Sequence, residues 1–248
     1  AADATAGGIT TASANAELKA LRSAALERVG ALAVPTTHDE AWRFTSIAAL
    51  NRASLHAVAS PTPLTQSDIA GWTIPDATQR MVFVDGVYAP QLGTVASTDG
   101  VMVTSLAQAL VSHPAAVMQH LCQHAPDPQH RFTAQNTANL FEAAVVIAPR
   151  NAAASAPVHL LFVASQANVT SHPRTLVIAE DGSAITFIED FVALTDGAYL
   201  TNSVTELSVG ANAQVQHIRL QRESLQAFHI ARCALTQAQD SHYHCISI

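Results

Sequence analysis

Charge is what this chain has least of: Asp, Glu, Lys and Arg make up 12% of its 248 residues, against 49% hydrophobic. So apolar a chain buries a core, which excludes a disordered polyelectrolyte. Its surface must be covered by Ala, Thr, Ser, Gln and Asn, a covering that suits a protein with large permanent partners. The 12 basic residues are outnumbered by 19 acidic ones and form no cluster. Nucleic acid is thereby excluded as the main partner, because neutralising phosphates takes grouped Lys or Arg. Cysteine is scarce too: Cys122, Cys233 and Cys245 form an odd set without CxxC spacing. That argues against a disulfide framework and for a reducing compartment. No run reaches the roughly 18 apolar residues of a membrane helix. The first residues, Ala1 to Ala12, lack a hydrophobic h-region and read as a flexible lead-in, not a signal peptide. There is also no Gly-rich phosphate loop, no GxSxG and no HExxH.

What the chain does have is rhythm. Short β-type runs occupy Val158–Val163, Thr175–Ala179, Ala184–Val192, Asn202–Val209, Ala213–Gln221, Ala227–Ala238 and Ser241–Ile248. Turn signals recur at near-equal intervals, at Gly182, Gly197, Gly210, Ser224 and Asp240. Strands at near-constant spacing without intervening helices mark a repetitive β architecture. Two runs and two turns fill roughly 28 residues, the size of one coil, so the region from Val158 onward makes about three coils. An antiparallel sandwich competes with this parallel β-helix on periodicity alone; the spacing leans towards the helix.

Ahead of the strands the pattern is helical. Leu18, Leu21, Ala25 and Val29 set an apolar face over Asn15–Val29, with Ser13 or Asn15 as cap and Gly30 at the end. A short helix starts near His38-Asp39-Glu40 and carries Trp42, Ile47 and Leu50, with Trp42, Arg43 and Phe44 anchoring on the core. Met81–Tyr88 is a hairpin around an Asp85-Gly86 type I′ turn. Ser105 caps a helix to Cys122 that Pro114 interrupts, and Arg131–Phe141 is another helix. The expected organisation is a lead-in over 1–13, an α-rich domain over 14–140, and a parallel β-helix over 141–248.

Five segments, in order, resemble one family. Pro35-Thr36-Thr37-His38-Asp39-Glu40-Ala41-Trp42-Arg43-Phe44-Thr45 is similar to the P-T-x-x-x-E-x-W-K/R-Y/F-T opening of the SufB/SufD proteins of iron–sulfur cluster assembly. Val82-Phe83-Val84-Asp85-Gly86-Val87-Tyr88 resembles their hairpin, and Ser171-His172-Pro173-Arg174 their strand entry. Thr201-Asn202-Ser203-Val204-Thr205-Glu206 and His217-Ile218-Arg219-Leu220-Gln221-Arg222-Glu223 complete the set, and the N-terminal signature points to the SufD branch. The resemblance implies a mainly β chain, a right-handed parallel β-helix preceded by a helical N-terminal domain. It implies a cytoplasmic or plastid-stromal scaffold subunit of a SufBCD complex, pairing with SufB and binding the SufC ATPase. An iron–sulfur cluster would be held transiently by the assembled complex, with ATP hydrolysis left to SufC and no enzymatic role here. Family members continue beyond the equivalent of Ser247-Ile248, so the expectation is a truncated fragment lacking their SufC contact, their SufB-pairing strands and their cluster-linked Cys and His. The open last coil is then expected to self-associate.

The candidate metal motif is Ser241-His242-Tyr243-His244-Cys245. On a strand His242 and His244 share one face and Cys245 takes the other, so a third ligand must come from a neighbouring coil, with His217 and His229 nearest. His120 and His124 share a helix face as a second pair, beside His113, His130 and a core-packed Cys122. Glu189 and Asp190 are adjacent, hence on opposite faces, and cannot be the paired carboxylates of a glycosidase. The competing functions are therefore a β-helix carbohydrate enzyme and a metallo-hydrolase using His242 and His244.

Overall fold

In the computed structural model, described over residues 9–95, 99–123 and 130–248, the chain is mainly β with helices in its N-terminal half. The elements run α1 (Thr11–Ala31), α2 (Ala48–Arg52), β1 (His56–Ala57), α3 (Gln66–Ile69), β2 (Gln79–Val84), β3 (Val87–Tyr88) and β4 (Met102–Ser105). Then come α4 (Leu106–Ser112), α5 (Pro114–His120), α6 (Arg131–Ala138), β5 (Ala144–Ala148), β6 (Val158–Ala164) and β7 (Val169–Ser171). The last are β8 (Arg174–Ala179), β9 (Ala184–Ala193), β10 (Leu200–Val209), β11 (Gln214–Arg222), β12 (Phe228–Gln237) and β13 (His242–Ser247).

From β5 onward the chain winds as a parallel solenoid of about three turns between two sheets. One sheet holds β5, β8, β10 and β12, and the other β6, β9, β11 and β13. The pairing sets the coil length: Leu200 lies beside Phe228 and Gln214 beside His242, while the coil that brings Arg174 beside Val204 is slightly longer. Every repetitive run is a strand, and the parallel register decides against the sandwich. Left-handed residues at the corners keep the coils in step: Gly182 and Asn212 have φ of 69° and 58°. Gly210 has a different reason, because a Cβ there would lie 2.7 Å from the Asp181 amide nitrogen in the coil below.

Period-two alternation then sorts the side chains. Met81, Phe83, Leu160, Phe162, Ile185, Phe187 and Phe191 of one sheet meet Val146, Val177, Leu207 and Val209 of the other. Because coils stack in register, aromatics stack as well: Phe83 on Phe162 at 5.2 Å and Phe162 on Phe191 at 4.9 Å between centroids. The outer faces are covered by the N-terminal half. Ala14, Leu18, Leu106, Leu110, Met118 and Leu121 pack on Val145, Ile147, Leu176 and Ile178. Ile69, Trp72 and Leu92 cover Val82, Val84, Leu161, Val163 and Val192. The two halves also share sheets, since β2 pairs with β6 and β4 with β5.

Several N-terminal details differ from the sequence reading. The first helix begins at Thr11, capped by Thr10 through Ser13, so Ser13 supports the cap as its third residue instead of being it. The reason is reciprocal bonding between the Thr10 and Ser13 side chains and backbones, which outcompetes a later start. Of the lead-in at 1–13, residues 1–8 lie outside the described residues and Thr11–Ser13 are helical. The second helix is split into a 3-10 turn at Glu40–Trp42 and α2. Trp42 does anchor, 5.5 Å from Phe132, but Phe44 is 93% exposed with Arg43 over its ring. The hairpin forms as expected, with Asp85 and Gly86 at φ of 51° and 85°. Ser105 caps α4, and the chain breaks at Pro114.

Candidate functional site: a charged lumen

Two sequence candidates lie outside the solenoid. His242 and His244 are exposed on the outer face of β13, in register with Gln214 and Gln216. They line a shallow groove with Thr186, Gln214, Gln216, Gln237 and Ser241. His217 and His229, the nearest sources of a third ligand, turn into the lumen instead and cannot join them: alternation along β11 and β12 points both inward. Among the described residues no three His, Cys, Asp or Glu side chains converge as a metal site requires. His124 lies outside the described residues, and its partner His120 ends α5. His113 pairs with Ser112, and His130 caps α6 through Thr133.

The chemistry gathers inside. Glu189, on the inner face of β9, is 1% exposed and accepts hydrogen bonds from Thr175 (2.7 Å) and Thr205 (2.8 Å). On its other side His217 Nε2 lies at 3.0 Å and Arg219 Nη2 at 3.6 Å. Burial pushes the carboxyl up, but the hydrogen bond and charge of His217, then Arg219 and Thr175, outweigh it and hold Glu189 at about 2. Burial likewise pushes His217 down, but the bonds to Cys233 and Glu189 and the nearby negative charges raise it to about 9. At neutral pH this is an imidazolium–carboxylate pair, sealed in the core with Phe187 stacked on the ring at 4.3 Å.

One coil further on lie β12 and β13. Cys245 is in register with His217, and its Sγ is 3.8 Å from His217 Nδ1. Cys233 is in register with Thr205, and its Sγ is 3.6 Å from the Tyr243 hydroxyl, itself 2.9 Å from His217 Nδ1. Both thiols are exposed. A second relay runs through Ser203 Oγ, His229 Nε2 at 3.1 Å and Glu223 at 2.5 Å from His229 Nδ1, with Thr201 also donating to Glu223. Ser203 is 2% exposed there, and Phe191 meets His229 edge-on.

The sequence reading missed this column, although its own coil length holds the signal. Counting one coil at a time, the inward positions Phe187, His217 and Cys245 fall on the same point of successive turns, as do Glu189 and Arg219, and Thr205 and Cys233. It did place Glu189 and Asp190 on opposite faces. Asp190 turns outward and pairs with His159 (3.1 Å) and Arg222 (2.5 Å), whose guanidinium lies over Trp72.

A third cluster fastens the helices to the solenoid. Arg174, fully buried, meets Glu206 at 2.7 Å, Asn136 at 3.0 Å and Cys122 Sγ at 3.3 Å. The Cys122 amide donates to Glu206 at 2.9 Å, and burial pushes its thiol up. Asn136 donates to the carbonyls of Pro173 and Asn202, tying α6 across two coils. The family-like segments around Arg174, Asn202 and Glu206 thus serve this joint.

Comparison with known proteins agrees with the architecture. Residues 162–248 match the family model "SUF system FeS cluster assembly, SufBD core domain", and residues 5–160 match "SufBD protein N-terminal region". The chain is 31% identical to the iron–sulfur cluster assembly SufBD family protein slr0076 of Synechocystis, over 92% of this chain and 52% of that protein. It is 28% identical to the iron–sulfur cluster assembly protein SufD of Escherichia coli, over 84% and 47%. With the chloroplastic protein ABCI7 of Arabidopsis thaliana it shares 23%, over 95% and 51%. The chain spans about half the length of these relatives. With the two family models matched one after the other, and the solenoid beneath them, the chain belongs to the SufBD family of iron–sulfur cluster assembly proteins as a homologue of SufD.

Proposed function

We propose that this chain is a scaffold subunit of a SUF-type assembly complex, pairing with a SufB-type subunit and a SufC-type ATPase. In this reading the nascent cluster is cargo of the assembled complex, and ATP hydrolysis resides in the SufC-type partner. The observation that carries it is the paired family match laid over a two-sheet parallel solenoid. The compartment that fits is the bacterial cytoplasm or the plastid stroma. No helix among the described residues is long and apolar enough to cross a membrane.

The carbohydrate-enzyme reading fares worse. Such a site needs carboxylates converging on one open groove. Here Glu189 and Asp190 are both buried, face opposite ways, and are paired, Glu189 with His217 and Asp190 with His159 and Arg222. Co-expression of the tagged chain with SufB- and SufC-type subunits tests the proposal. Stoichiometric co-elution through size exclusion is the expected result; failure to retain either subunit would refute it.

A further inference from the structure

We propose that the groove between the end of α1 and the start of α6 is a docking site for an arginine side chain carried on an extended segment of a partner protein. The groove encloses about 480 Å³, within the range of ligand pockets. Trp42, Asp39 and Glu40 line one side of it, and Leu32, Val34 and Phe132 complete the lining used here. The Trp42 indole is held by Phe132 at 5.5 Å and His130 at 6.4 Å between ring centroids.

Local sequence builds this arrangement. Asp39 accepts hydrogen bonds from the Thr36 amide (2.7 Å) and the Thr36 hydroxyl (3.2 Å), which folds 36–39 into a turn. The 3-10 turn that follows, Glu40–Trp42, brings a carboxylate and an indole to the same cavity. Across it, Arg131 donates to the carbonyls of Val29 (2.6 Å) and Leu32, fastening α6 to the end of α1.

Charge and shape then select the guest. Arg131 spends its donors on those carbonyls, and Arg43 lies over Phe44, 5.5 Å from the ring centroid. Among the described residues the Glu40 carboxylate makes no hydrogen bond or ion pair. Two carboxylates against the one guanidinium of Arg131 leave the charged lining net negative. A flat cation answers both features at once, because a guanidinium stacks on an indole face and pairs with a carboxylate in its own plane. The backbone favours an arginine borne on a chain over the free amino acid. Leu32 leaves α1 extended, with φ of −82° and ψ of 133°. The amides of Ala33 and Val34 make no hydrogen bond among the described residues, so a partner backbone can bond beside the groove as an added strand does. The site lies inside the N-terminal match, and the inference does not rest on the scaffold reading.

Nuclear magnetic resonance of the indole N–H groups tests it, since the chain has only 2 tryptophans. The ¹⁵N-labelled native protein is titrated with a blocked pentapeptide carrying a central arginine, and with the same peptide carrying uncharged citrulline. The arginine peptide is expected to move the Trp42 resonance saturably, with a Kd in the millimolar range, and to leave Trp72 in place. Glu40→Gln changes an exposed side chain and is expected to weaken that binding about threefold, and added salt to weaken it in the native protein. An unmoved Trp42 resonance, or equal shifts with the citrulline peptide, would overturn the proposal. So would an unchanged Kd in Glu40→Gln, or free arginine binding as tightly as the peptide.

Discussion

Replacing Glu189 with Gln turns a buried ion pair into a buried lone cation, and pH reads the difference. His217 titrates at about 9 in the folded chain against 6.5 for a free imidazole. The folded state therefore holds the proton more tightly. Its stabilising contribution is complete below pH 6.5 and disappears as the pH rises through about 9. At about 1.4 kcal/mol per pH unit, that interval amounts to about 3 kcal/mol, nearly all of it lost between pH 6 and pH 9. No discount for solvent screening applies, because both partners are 1% exposed. Glu189, held at about 2 against 4.5, reports the same pair from the acid side. Its share is present above pH 4.5 and is lost as the pH falls through about 2, so the two figures are not added. Urea unfolding at pH 6 and pH 9 measures the effect. The native chain should lose about 3 kcal/mol between them, while Glu189→Gln should start about 3–5 kcal/mol lower at pH 6 and then change little. Equal urea midpoints for the native chain at both pH values would refute the reasoning. So would an undiminished pH dependence in the variant.

Three further outcomes follow from other parts of the fold. Arg174→Met should cost about 3–5 kcal/mol by stranding the buried Glu206 carboxylate, and Arg174→Met with Glu206→Leu should recover much of it, as thermal unfolding would show. Gly210→Ala should destabilise by about 1–3 kcal/mol, since the new methyl meets backbone of the neighbouring coil; an unchanged melting temperature would contradict the stacking. Burial holds His172 near 4, so stability should fall as the pH drops below 6.5 towards 4, and His172→Gln should flatten that limb in acid-unfolding curves.

The solenoid was legible because its signal is local and repeated. Several corners hold a residue that tolerates positive φ or close approach, such as Gly182, Asn212 or Gly210, and the interval repeats from coil to coil. The Asp85-Gly86 hairpin and the Ser105 cap were legible for the same reason, being decided by a few neighbouring residues. The Thr10–Ser13 box was missed because a capping threonine preceded a run of residues equally able to start a helix. Phe44 was misjudged because an aromatic beside Trp42 gives no sign of which ring faces inward. The charged lumen lay one step further off. Glu189 faces Arg219 across one coil and His217 faces Cys245 across the next, so these groups are neighbours only once coil length and inward parity are both fixed. His242 and His244 drew attention by adjacency alone, and parity places them outside.

The scaffold account is tested most directly by loading purified SufB- and SufC-type subunits with iron and sulfide, with and without this chain, and following cluster absorbance. Cluster formation that rises with the chain and saturates at a fixed stoichiometry is the predicted result, with no sugar hydrolysis by the chain alone. Loading indifferent to its presence, together with glycoside cleavage by the isolated chain, would contradict it.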